Sequence, residues 1–104
     1  VISQSVLSLE YIRASVKATA SGSPVNPTGD PVAMAFTTGS AEPGNWVTAS
    51  WDGSSPRSDG SYVAQCLVGP GGDAVLVVGS YSIWLKVTDS PEVPVRNVGL
   101  LTIT

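Results

Sequence analysis

The chain has 104 residues, 5 Lys and Arg against 8 Asp and Glu, no His, and a formal charge of -3. Charged residues make up 12%, about half the globular norm of roughly 25%, while 42% are apolar. These figures exclude a disordered chain and a phosphate-binding basic surface, and the single Cys66 excludes an intramolecular disulfide or a Cys-based zinc site.

Val and Ser are the commonest residues, with 11 Gly and 8 Pro. A helical bundle would want more Leu, Glu and Lys, so an all-β domain is expected. Length allows one core and one domain spanning residues 1–104. The longest apolar run, residues 74–78, is far short of a helical membrane span of about 20 residues. No basic segment precedes an apolar stretch at the start, so no secretory signal is expected.

Apolar residues recur with period two along most of the chain. Residues 2–9 read as a strand with Leu7 and Leu9 on one face. From Ile12 the alternation is cleaner, with Ile12, Ala14, Val16 and Ala18 facing one way. Ser21-Gly22 reads as a turn, and residues 23–31, with three prolines, as a loop or a short edge strand. Residues 32–37 alternate again. Residues 38–45 are a loop, and residues 46–51 form a strand carrying Val47, Ala49 and Trp51 on one face.

A polar loop over residues 52–60 leads into a strand over residues 61–68. Gly69-Pro70-Gly71-Gly72-Asp73 must turn sharply, and residues 74–78 read as a short buried strand. Residues 79–88 give the strongest strand, with Tyr81, Ile83, Leu85 and Val87 inward. After a loop with two prolines, residues 98–104 form the last strand. Seven to eight antiparallel strands with turn signals every 8 to 12 residues match a Greek-key β-sandwich. The expected core is Ile12, Val16, Met34, Phe36, Val47, Trp51, Tyr81, Ile83, Leu85, Val87, Leu101 and Ile103. Tyr81, opening a long alternating strand just after a turn, resembles the tyrosine corner of immunoglobulin-like sandwiches. Cys66 is expected to be a small buried hydrophobe, since Tyr62 lies four residues before it and no second Cys exists.

Little chemistry is on offer. With no His, a serine nucleophile lacks the usual base, and Lys17 and Lys86 are the only lysine amines. Seven of the eight acids fall in expected loops or turns, where solvation or Asx turns account for them. Asp52 and Asp59 share one loop and are the candidate carboxylate pair, and Asp89 and Glu92 with Asp30 are the calcium candidates at one end of the fold, but no loop has a calcium-binding spacing. Gly69 to Gly72 lack the Lys and the helix of a phosphate loop. No catalytic residue, cofactor or metal ligand is assigned, and neither nucleic acid nor membrane is expected as a partner.

The run Tyr62-x-Ala64-Gln65-Cys66-Leu67-Val68-Gly69-Pro70-Gly71-Gly72, the strand Gly79-x-Tyr81-x-x-Trp84-Leu85-Lys86-Val87-Thr88-Asp89, and Pro91-Glu92-Val93-Pro94-Val95-Arg96 resemble small immunoglobulin-like proteins of tailed bacteriophages infecting actinobacteria. Pro31-Val32-x-Met34-Ala35-Phe36 also fits, so the likeness covers roughly residues 12–104. It implies a non-enzymatic structural component of a virion, present in multiple copies and docked on a major capsid, neck or tail protein. The alternative is a module that binds carbohydrate or a cell surface, for which Trp46 and Trp84 are the stacking candidates. For docking, the charge-free segment Val1-Ile2-Ser3-Gln4-Ser5-Val6-Leu7-Ser8-Leu9 has neither Pro nor Gly. It reads either as an arm adding a strand to a neighbouring subunit, through Val1, Ile2, Val6, Leu7 and Leu9, or as a strand of its own sandwich.

Overall fold

The computed structural model describes residues 2–20, 23–39, 43–53, 55–88, 93 and 95–104. In chain order the strands are β1 (Ile2–Gln4), β2 (Glu10–Val16), β3 (Ala18–Ala20), β4 (Ser23–Val25), β5 (Val32–Thr37), β6 (Val47–Thr48), β7 (Ser50–Trp51), β8 (Tyr62–Val68), β9 (Gly79–Val87) and β10 (Val95–Ile103). A single 3₁₀ turn, Pro27–Gly29, is the one helical element among the described residues. One sheet has five strands in the order β1-β10-β9-β5-β6, a second has three in the order β2-β8-β7, and β3 and β4 form a separate ribbon. Among the described strands every pairing is antiparallel except β1 on β10, which is parallel.

The alternation read from the sequence explains the core. In β9 the side chains of Tyr81, Ile83 and Leu85 are buried, and across from them stand Leu101 of β10 and Phe36 and Met34 of β5. In the second sheet Ile12 faces Cys66 and Ala14 faces Ala64. All the expected core residues lie in this buried cluster or pack against it, joined by Val32, Ala64, Cys66, Val68 and Ala74. The Tyr81 hydroxyl donates to the Val77 carbonyl at 2.8 Å, the backward bond expected of a tyrosine corner. Tyr81→Phe should lower unfolding free energy by about 0.5–1.5 kcal/mol in urea denaturation, because the Val77 carbonyl beside an exposed side chain can turn to water. A loss above about 3 kcal/mol would mean that the carbonyl is left buried and unpaired.

Three expectations are corrected. The strand over residues 46–51 is two strands in different sheets: Val47 pairs with Met34, Trp51 pairs with Ala64, and the crossing is at Ala49, whose N–H donates to the Val32 carbonyl at 2.9 Å. A short edge segment at a sandwich corner can serve both sheets, and the indole N–H of Trp51 fixes the crossing by donating to the Asp30 carbonyl at 2.9 Å. With a break at Lys17 that separates β2 from β3, and with β4 added, the described residues hold ten strands rather than seven or eight, although residues 74–78 make none.

Residues 74–78 are not a buried strand. They make one bridge, Ala74 to Val68, while Val75, Val77 and Val78 are 70%, 75% and 64% exposed. Their backbone is served differently: the Leu67 carbonyl accepts from the N–H groups of Asp73 and Ala74, and Tyr81 covers the Val77 carbonyl.

The first segment is a strand only over Ile2–Gln4, and it pairs inside its own sheet. Thr104 N–H donates to the Gln4 carbonyl and Val6 N–H to the Thr104 carbonyl, at 2.9 and 2.8 Å. Beyond Gln4 the chain must cross to the second sheet, so it turns at Ser5, whose carbonyl accepts from Ser8 N–H and whose hydroxyl accepts from Leu7 N–H. That turn leaves Leu7 85% and Leu9 49% exposed. Of the two readings of this segment, Ile2–Gln4 follow the own-sandwich one; Val1 lies outside the described residues.

Candidate functional site

Trp84 and Trp46 were the aromatic candidates, and both are half-buried. Trp84 alternates with buried Ile83 and Leu85, so it stands on the outer face of the five-stranded sheet, opposite Ala35 and Asn97. Its indole N–H donates to the Thr37 hydroxyl at 3.0 Å. Trp46, just before β6, has the Lys86 ammonium 4.6 Å from its ring centroid. One ring is thus tethered and the other already carries a cation on its face. On the same outer face a shallow hollow of about 300 Å³ lies over β9 and β10, lined by Gly39, Ser80, Ser82, Leu100 and Thr102.

A second feature gathers at one end of the sandwich. The turn over residues 69–72 runs against Ser8 and Leu9 so closely that a Cβ on Gly72 would come within 2.9 Å of Leu9 Cδ1. Gln4 fastens the same place from inside. It is buried, and its amide nitrogen donates to the carbonyls of Ser8 at 3.0 Å and Val68 at 2.8 Å. Both partners are acceptors, which fixes the amide orientation and leaves Oε1 without a partner among the described residues. From this fastened base project Leu7 and Leu9 on one segment and Val75, Val77 and Val78 on the next, all exposed. Ile2 is 38% exposed, whereas Val6 packs against the core. The expected residues Leu7 and Leu9 therefore belong to this end, and sequence reasoning missed the three valines because an apolar run looks alike whether buried or bare.

Several titratable groups have local partners. Asp52 accepts from Arg57 at 3.5 Å and forms an ion pair with Arg13 at 3.8 Å, and Arg13 also donates to Gln65 and lies 5.4 Å over the Tyr11 ring. All these charges are exposed, so the pairs add little stability. Asp59 accepts from the hydroxyl of Ser61 at 2.6 Å and from its N–H at 3.0 Å, and these bonds, hydroxyl first, hold its carboxyl below the ordinary 3.8. This is the Asx-type turn expected of a loop acid. Burial, helped by the Asp73 charge, pushes the Cys66 thiol up to about 11, so it packs as a neutral small side chain. Among the described residues no three His, Cys, Asp or Glu side chains gather as metal ligands. Asp89 and Glu92 lie outside the described residues.

Compared with known protein families, curated proteins and solved structures, the chain matches none.

Proposed function

We propose that the chain is an immunoglobulin-like Greek-key module serving as a non-enzymatic structural component of a phage virion, docked in multiple copies on a capsid, neck or tail protein. The strand order supports the fold: a first strand parallel to the last, a five-stranded sheet against a three-stranded one, and a tyrosine tied to the backbone four residues upstream. The likeness of residues 12–104 to small phage immunoglobulin-like proteins supports the setting. The observation that carries the docking role is the exposed aliphatic end, Leu7, Leu9, Val75, Val77 and Val78. Exposed aliphatic side chains on two segments that meet at one end of the fold favour a surface that another protein covers.

Co-sedimentation with assembled particles tests this reading. The chain should bind stoichiometrically and with little salt dependence, since its net charge is only -3. Val77→Asp should weaken binding about tenfold or more, through lost apolar burial and a carboxylate driven into the contact. Failure to sediment with capsid, neck or tail assemblies would overturn the proposal. Binding to a glycan array through Trp46 and Trp84 would put the carbohydrate reading in its place.

A further inference from the structure

Among the described residues the two sheets have four edges, and three are short. β1 offers three residues, and β6 and β7 two each; beside β1, β10 is also bare over residues 95–100, but a bulge between Asn97 and Gly99 breaks that stretch. The fourth edge is β2, seven residues long, with no Pro, no Gly and no break in its register with β8 from Glu10–Val68 to Val16–Tyr62. No described strand pairs with its outer side. Natural sheets rarely leave so long and regular an edge bare.

The direction of its backbone groups follows from the neighbours of β8. The carbonyl of Val63 accepts from Asp52, and that of Leu67 from Asp73 and Ala74, so odd-numbered residues of β8 point away from β2. Its even-numbered residues then exchange bonds with Ile12, Ala14 and Val16. By the same alternation, the N–H and C=O groups of Tyr11, Arg13 and Ser15 face the open edge.

We propose that this edge pairs with β2 of a second copy of the chain, antiparallel about a two-fold axis at Ala14, fusing the two three-stranded sheets into one. Charge disfavours both neighbouring registers. Keeping the buried faces on the same side requires that facing residue numbers sum to an even value, because side chains alternate with period two. Centring the axis on Arg13 would set that arginine against its own copy, and centring it on Ser15 would set Arg13 against Lys17. Like charges directly opposite destabilise a sheet. Centring on Ala14 places Arg13 opposite Ser15, Lys17 opposite the Tyr11 ring, and Ile12 opposite Val16 on the inner side. Within β2 the two Arg13–Ser15 pairs close about four backbone hydrogen bonds between the copies, and Tyr11 extends the ladder opposite Lys17. The interface is isologous and therefore stops at a dimer.

Sedimentation equilibrium of the full chain, with hydrogen exchange read at single amides, tests the pairing. The chain should form dimers in which the amides of Tyr11, Arg13 and Ser15 are protected. Ser15→Pro removes an N–H that serves only the open edge, where proline is tolerated, and should give a monomer with an unchanged far-UV spectrum. Ser15→Lys, which keeps the backbone intact, sets a lysine against Arg13 of the second copy and should weaken the dimer about tenfold or more. A chain that is monomeric throughout the micromolar range overturns the proposal. So does a dimer that neither variant weakens, or one in which those three amides exchange freely.

Discussion

Leu85→Ala is expected to lower the unfolding free energy by about 2–5 kcal/mol and the thermal midpoint by about 10 °C or more. β9 is the middle strand of the five-stranded sheet, and Leu85 sits near its centre, 5% exposed and directly opposite Met34, which is fully buried. Removing most of the side chain there loses its transfer free energy. It also leaves a cavity that the flanking strands, tied in ladders on both sides, cannot close. Urea denaturation measures it: the midpoint should fall with an unchanged slope. A loss under about 0.5 kcal/mol would mean that Met34, the adaptable neighbour, had filled the space.

The sandwich was legible because side-chain direction in a strand has one period, and residues 12–16, 32–37 and 79–87 keep it over enough positions to fix which face is buried. The parts that were not legible are those where the backbone leaves the ladder. At Ala49 and again over residues 5–9 the chain passes from one sheet to the other, and period-two patterning carries no signal for which sheet a residue joins. Two strands in different sheets therefore read as one at residues 46–51. At residues 74–78 a run of five apolar residues looked like core. The turn over residues 69–73 instead spends its hydrogen bonds on Leu67, and the run continues along the surface.

The candidate site was legible in pieces. Leu7 and Leu9 stand out in the sequence as apolar residues on a charge-free stretch, and both are exposed. Val75, Val77 and Val78 could not be placed at the same end, since what brings the 69–72 turn against Ser8 and Leu9 is a close approach of residues sixty or more apart in the chain. Gln4 carries no signal at all in a polar-looking strand, yet its two carbonyl partners connect β1, the crossing turn and the end of β8. The open edge of β2 was hidden for another reason: whether a strand is paired on one side or two is a property of topology, not of its own residues.

Gly69→Ala should be the most damaging single change at the aliphatic end, costing about 3 kcal/mol or more, and Gly71→Ala, two residues on, should cost only about 1–2 kcal/mol. Both glycines have positive φ, +137° and +81°, so both substitutions strain the backbone. Only at Gly69 is the space also taken. A Cβ there would collide with the Ser8 carbonyl oxygen and fall 2.8 Å from Leu9 Cα, and these are backbone atoms with no rotamer to change. Either the turn opens or Ser8 and Leu9 move away. If they move, the Gln4 amide loses the Ser8 carbonyl that holds it at 3.0 Å, inside a site where an unpaired polar group is costly. β1, with three residues on β10 and little else, would then exchange its amides faster. Hydrogen exchange over residues 2–8 in the two variants separates the causes. Fast exchange in Gly69→Ala alone means that close approach of the turn to Ser8 holds the first strand and, with it, Leu7 and Leu9 in place. Equal exchange and equal stability loss would mean that backbone conformation is the whole of the glycine requirement, and that the aliphatic end keeps its shape without that contact.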